Sequence, residues 1–291
     1  MNTALWLVRR EFWENRASWV IPVVIGGIMI LAALFGRVDL ISPDSAMQGR
    51  AFGGIFLIAF GATFYAVMSL YAGWYLLDCL YADRKDRSIL FWKSMPISDT
   101  KTVLSKLAMA LIVIPLVYFA AADLTTLIIA FIISVRASSL IGGSIWHADA
   151  WLQLQALWLW AIVATALWYL PVAGWLIVVS AWAKRAVTLW SLMPPVALVL
   201  VERWFAGSNV IGEQLSTRLW GFLSIAFHAN LNSEWWVSTP TDHGALRTPA
   251  GIWSIVNFSG FFSSPQTWVG VAVGVALVIG AVQLRIRRTE I

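Results

Sequence analysis

The chain has 291 residues, of which 60% are hydrophobic and only 12% charged, with a net charge of +5 and a mean hydropathy of +0.77. Soluble domains carry about a quarter charged residues, so the composition excludes an ordinary water-soluble fold; uncharged runs of about 18 residues or more read instead as membrane spans. Those runs do not alternate as barrel strands do, and lipid offers backbone groups no partner outside the segment, so the spans are helices.

Residues 1–17 open the chain as an amphipathic segment. Leu5, Val8 and Phe12 fall at helical spacing, with Arg9, Arg10, Glu14 and Arg16 on much of the other side and Trp13 beside Phe12. The segment reads as a helix lying in the membrane interface, its arginines toward anionic headgroups; a plain basic flank is the alternative. A first span follows over 18–35, with Pro22 near its start and Gly26 and Gly27 for close packing. It is too long for a signal-peptide core and lacks a small-x-small cleavage site, so it is expected to be retained.

A polar loop over 36–50 leads to a second span, 51–80, then to the polar stretch 80–106. The third span starts after Lys106 and runs toward Val135, with Pro115 as its expected kink. After a loop over 136–149, the fourth span is read as one helix over 151–182. Its Trp168, Trp175 and Trp182 recur every seven residues as one stripe, for packing or lipid contact, or for lining a substrate path. The fifth span, 187–201, is expected to be interrupted by Pro194 and Pro195. A long segment over 202–266 precedes the last span, 267–284, which ends at Arg285, Arg287 and Arg288. With alternating spans, fourteen of the 20 basic residues fall on the side of the N-terminus. The basic-inside rule then places both termini in the cytoplasm and gives an even number of spans, six.

The chain is organised around 80–106. Asp83, Arg84, Lys85, Asp86 and Arg87 precede an apolar cluster, Ile89, Leu90, Phe91 and Trp92, and Lys93, Ser94 and Pro96 follow it. A solvated loop has no need of such a cluster, and a lipid-facing helix would not tolerate its flanks. Pro96 ends any short helix, because the residue before a proline is pushed out of helical geometry. Ser98 or Asp99 then caps the next helix. Leu90, Phe91 and Trp92 read as an aromatic knob for another protein, with Arg87 and Lys93 placed to meet its carboxylates; a knob dipping into the membrane interface is the alternative.

Catalytic patterns are sparse. There is no Gly-Lys pair, so no Walker A loop can form, and any ATP use belongs to a partner. His147, His228 and His243 are widely spaced, without metal-ligand spacing, and no Gly-x-Ser-x-Gly elbow occurs. Two carboxylates lie in apolar surroundings and are candidate functional groups by default. Asp123 serves either proton-coupled movement or a polar contact between helices. Asp78 is either functional or a hydrated helix end near Arg84. The lone Cys79 rules out an intramolecular disulfide framework.

With the run from Asp83 to Ser98 and the following Lys106 in view, the chain resembles the permease subunits of bacterial type-2 ATP-binding-cassette exporters. Those subunits are similar in an acidic-basic run, a Phe-Trp-x-Ser-x-Pro-x-Ser core, a lysine before the third span, an amphipathic N-terminal helix and a large outer segment before the sixth span. The resemblance implies an all-α, six-span permease domain over 1–291, with the coupling helix inside 81–106. Arg84, Asp86, Arg87, Leu90, Phe91, Trp92, Lys93, Ser94 and Pro96 would dock on the ATPase. It implies re-entrant outer helices within 202–266, at Asn209–Ala229 and Thr248–Phe262. It further implies a bacterial inner-membrane location, a second permease copy or sibling, and membrane lipid as surroundings. ATP and Mg would be bound by the partner ATPase and no cofactor by this chain, which would be no enzyme itself and would contact no nucleic acid. The competing readings are a membrane-embedded enzyme for lipid-linked substrates and an ATP-driven mechanical or sensory complex that moves no solute.

Overall fold

The computed structural model describes residues 3–36, 46–86, 97–136, 148–227 and 256–287. In chain order the helices are α1 (Thr3–Glu14), α2 (Ala17–Phe35), α3 (Ala46–Lys85), α4 (Asp99–Arg136), α5 (Ala148–Trp168), α6 (Leu170–Trp182) and α7 (Val187–Ala206). Then come α8 (Val210–Trp220), α9 (Phe222–Ala226), α10 (Phe258–Ser263) and α11 (Pro265–Arg287). Among the described residues the architecture is all-helical; the one extended pairing there is an isolated bridge between Phe227 and Val256.

Four helices, α2, α4, α7 and α11, are long and apolar enough to cross a membrane, and the bent pair α5 and α6 makes a fifth if counted as one span. α3 has 40 residues, a length of about 60 Å at 1.5 Å per residue.

Two expectations are corrected. The segment 151–182 is not one helix: α5 and α6 meet at Tyr169 with a bend of 55°. Pro171 explains the break, since it has no N–H to donate and its ring would clash with the carbonyl of Leu167 four residues back. The Trp168–Trp175–Trp182 stripe is therefore divided. Trp168 is buried against Phe261 and Arg218, Trp175 Nε1 donates to the Ser191 carbonyl at 2.9 Å, and Trp182 meets Trp190 edge-on at 4.8 Å. Second, Pro194 and Pro195 do not interrupt α7, which runs on to Ala206; the carbonyl of Ser191, four residues before Pro195, takes the Trp175 proton instead. α4 begins at Asp99 with Ser98 as its cap, as expected, and widens into a π-helical stretch over Met109–Val113 just before Pro115. The wider turn accommodates a proline that cannot donate to Leu111.

The core lies where α3, α4, α6 and α11 meet, filled by Phe64, Met68, Ile114, Tyr118, Ile177 and Val278. α11 and α6 form the most extensive pairing, made possible by two glycines. A Cβ on Gly174 would lie 2.9 Å from the Gly274 carbonyl oxygen, and one on Gly274 would lie 2.7 Å from the Leu170 backbone carbon. Small residues of this kind let membrane helices touch through their backbones.

The two ends of the bundle are tied differently. At the end away from α1, Arg136 donates to the carbonyls of Ala33, Leu34 and Gly36, neutralising the C-terminus of α2. Arg218 of α8 lies 4.2 Å over the Trp168 ring and donates to the carbonyls of Trp168 and Gln266. Trp168 Nε1 in turn donates to the Arg218 carbonyl at 2.9 Å, and Trp160 Nε1 to that of Ala226 at 3.0 Å. The helices between α7 and α11 thus pack on the break between α5 and α6.

Candidate functional site: a buried ionic bracket at the base of the 86–98 loop

At the α1 end the backbone brings together charged side chains from four helices. Glu11 is 2% exposed, Lys106 3%, Arg285 5% and Asp83 9%. Each position follows from local sequence. Glu11 lies one turn after Leu7 on the buried face of α1. Asp83 sits in the last turn of α3, and Arg285 in the last turn of α11. Ser98 caps α4 by accepting the Lys101 N–H, and Asp99 lies in the first turn, where the helix dipole favours an acid. Lys106 is two turns further along.

Asp83 is the hub. One oxygen takes the Lys106 ammonium at 3.3 Å and the other the Arg285 guanidinium at 3.1 Å. Arg285 also donates through Nε to Asp99 at 2.9 Å, and Lys106 reaches Glu11 at 3.0 Å. The Glu11 carboxylate additionally accepts from Arg10 at 2.8 Å and from the Tyr75 hydroxyl at 2.9 Å. Three acids and three bases balance, and every acid oxygen so named meets a donor. Burying such groups costs several kcal/mol per ion before their mutual attraction returns it. The cluster therefore adds little net stability; its value is registry, since no shifted packing of these helices would satisfy all six groups.

The geometric consequence is specific. Asp83 and Asp99 flank the polar loop, and one guanidinium holds both, so Arg285 closes the loop's base. α3 is fixed on its other side by Arg84, which donates to the carbonyls of Ser180 and Ala183 at the C-terminus of α6, the latter at 2.8 Å. Ser180, fully buried, accepts the Leu80 and Tyr81 N–H groups at 3.1 Å each. The helix ends on either side of 87–96 are thus set in a frame made by α1, α3, α4, α6 and α11.

Among the residues expected to dock on a partner, Arg84 belongs to this frame and Asp86 is exposed just beyond α3. Arg87, Leu90, Phe91, Trp92, Lys93, Ser94 and Pro96 lie outside the described residues. Asp78 is on the exposed surface of α3. Asp123 is half-buried and accepts a hydrogen bond from Gln155 Nε2 at 2.5 Å, joining α4 to α5. On α1, Arg9 is exposed over the Trp6 ring at 5.2 Å, and Arg10 pairs with Glu11 and Glu14. Phe12 packs against the core, and Trp13 is exposed with its ring edge-on to Phe12.

Sequence reasoning missed the bracket itself. Glu11 was not singled out, although Leu7 and Glu11 share a face. Arg285 counted only as a basic flank, and Tyr75 drew no notice. The available signal was balance: acids at 83 and 99 and bases at 106 and 285 all sit at span ends on the same side. Among the described residues no three His, Cys, Asp or Glu side chains converge as metal ligands. No family model, curated protein or solved structure matches the chain.

Proposed function

We propose that this chain is the membrane-spanning subunit of an ATP-driven exporter, coupled through its 86–98 loop to a separate ATPase. The observation that carries this reading is the bracket. A loop with an apolar aromatic centre stands on a buried, charge-balanced base that grips four helices at once, so force applied to the loop reaches the bundle without being absorbed locally. In this reading α3 is also a span, the second of six, and both termini are cytoplasmic. The helices between α7 and α11 dip into the outer leaflet, and two such chains, or this chain and a sibling, enclose the path. The partner binds ATP and Mg.

The mechanism follows from the ties. ATP-driven closure of the partner pushes on Leu90, Phe91 and Trp92. The ion pairs of Asp83, Asp99 and Arg285 convert that push into a joint movement of the α3, α4 and α11 ends. α11 carries it through the Gly174–Gly274 contact to α6 and along its length to Gln266, where Arg218 holds the far end. A bundle tied at both ends switches between two packings rather than bending continuously. The path's cargo class is amphipathic or lipid-like, given spans with few charges and many aromatic residues.

Trp92→Asp tests the docking role. The variant still inserts in the membrane, while an ATPase that co-purifies with the parent chain is lost. Retained association overturns the reading, and ATP-dependent flux in vesicles separates an exporter from a complex that moves no solute.

A further inference from the structure

α1 has two unlike faces. Leu7 and Glu11 are buried against the bundle, with Glu11 in the ionic bracket, whereas Leu5, Trp6 and Trp13 are exposed. Arg9 lies on that exposed side over Trp6, and Arg16 is exposed at the turn into α2. Glu14, the acid between them in sequence, pairs with Arg10 at 3.1 Å, but Arg10 also serves Glu11, so Arg9, Arg16 and Glu14 leave the outward face a net charge of +1.

The position of this face is constrained. Only Asn15 and Arg16 separate α1 from the apolar span α2, and the link is hydrogen-bonded throughout: Asn15 N–H to the Glu11 carbonyl, Ser18 Oγ to the Asn15 carbonyl, and Val20 N–H to the Arg16 carbonyl. α1 therefore cannot leave the level at which α2 enters the apolar layer. A face of Trp, Leu and Arg at that depth has the chemistry of a headgroup-binding surface: rings at the acyl boundary and guanidinium groups at phosphate height.

We propose that anionic lipid headgroups bind the outward face of α1 through Arg9 and Arg16, and that Glu11 transmits their occupancy to the base of the 86–98 loop. The second half follows from the first by linkage. Lipid that orders α1 orders Glu11, and Glu11 is held by Lys106 at 3.0 Å and by Tyr75 at 2.9 Å, Lys106 in turn by Asp83. Whatever shifts the bracket must equally shift the affinity of α1 for lipid. The inference rests on α2 being a span and not on the nature of any ATPase, so its test uses this chain alone.

The full chain is placed in nanodiscs of phosphatidylcholine, or of phosphatidylcholine mixed with phosphatidylglycerol, and amide hydrogen exchange is followed in 3–14 and 97–108. The anionic disc slows exchange of α1 by about fivefold per arginine engaged, and the start of α4 slows with it. Arg9→Gln with Arg16→Gln removes both effects. Glu11→Gln keeps the response of α1 and abolishes that of 97–108; Tyr75→Phe, which retains every charge, weakens it in the same direction and carries this arm should the glutamine variant not fold. Equal exchange of α1 in the two discs overturns the lipid site. An α1 response in the parent without one in 97–108, or a 97–108 response unaltered in the bracket variants, overturns the transmission.

Discussion

Replacing Asp83 with Ala is the sharpest perturbation of the bracket. The change removes two ion pairs, to Lys106 and to Arg285, both almost wholly buried. Breaking a buried pair from one side costs about 3–5 kcal/mol because a charge is left without compensation. Lys106 keeps Glu11 and Arg285 keeps Asp99, which places the expected cost at the low end, about 3 kcal/mol. The chain carries its own reporter: Cys79, its single cysteine, is buried one turn before Asp83. Labelling of Cys79 by a thiol reagent in detergent requires local opening, so its rate reports the opening equilibrium. At 1.4 kcal/mol per tenfold, Asp83→Ala raises the labelling rate by about two orders of magnitude. Asp83→Asn combined with Lys106→Met restores the charge balance and recovers part of the loss, a coupling of about 0.5–3 kcal/mol. A rate for Asp83→Ala within about twofold of the parent, the effect of an ordinary surface change, would refute the claim that the bracket holds these helices in register.

Three further outcomes are expected. Asp123→Asn preserves the acceptor for Gln155 and leaves thermal stability unchanged, whereas Asp123→Leu costs about 0.6–1.7 kcal/mol, the range for hydrogen bonds between membrane helices; a flux defect in the asparagine variant at full stability would instead mark a proton-carrying role. Gly274→Val drives a side chain into the Leu170 and Pro171 backbone and lowers the unfolding midpoint by about 1–3 kcal/mol equivalent or more, while the same change at Gly27, whose Cβ would meet nothing within 4 Å, is tolerated in the same assay. Arg218→Met removes two carbonyl bonds and the stack on Trp168, costs about 1.5–3 kcal/mol, and speeds hydrogen exchange in α8 and the first turn of α11.

Much of the helical plan was legible because lipid leaves a chain few options: uncharged runs near the length of a span announce themselves, and the polar stretch between them stands out by contrast. A helix at the start was legible too, through periodic apolar residues beside arginines, but its buried face carries Leu7 and Glu11 while Leu5 is exposed. The break at Tyr169 was missed although Pro171 was in plain view, because an apolar run on both sides of a proline reads equally as a kinked helix or as two helices, and the choice depends on what packs at the bend. Here Arg218 and Trp168 decide it. Pro194 and Pro195 misled in the opposite direction, since a neighbouring tryptophan takes up the Ser191 carbonyl. The bracket was the least legible feature. Its bonded partners are separated by up to 202 residues, as in the Arg285–Asp83 bond, and no local pattern distinguishes a charge at a span end that faces water from one that turns inward to meet another.

The docking claim is tested most directly by incorporating a photo-crosslinking amino acid at position 92 in the native cell and identifying what it captures. The account predicts a cytoplasmic nucleotide-binding subunit, captured more strongly in one nucleotide state than another. Capture of lipid alone, or of a protein on the external side of the membrane, would contradict it.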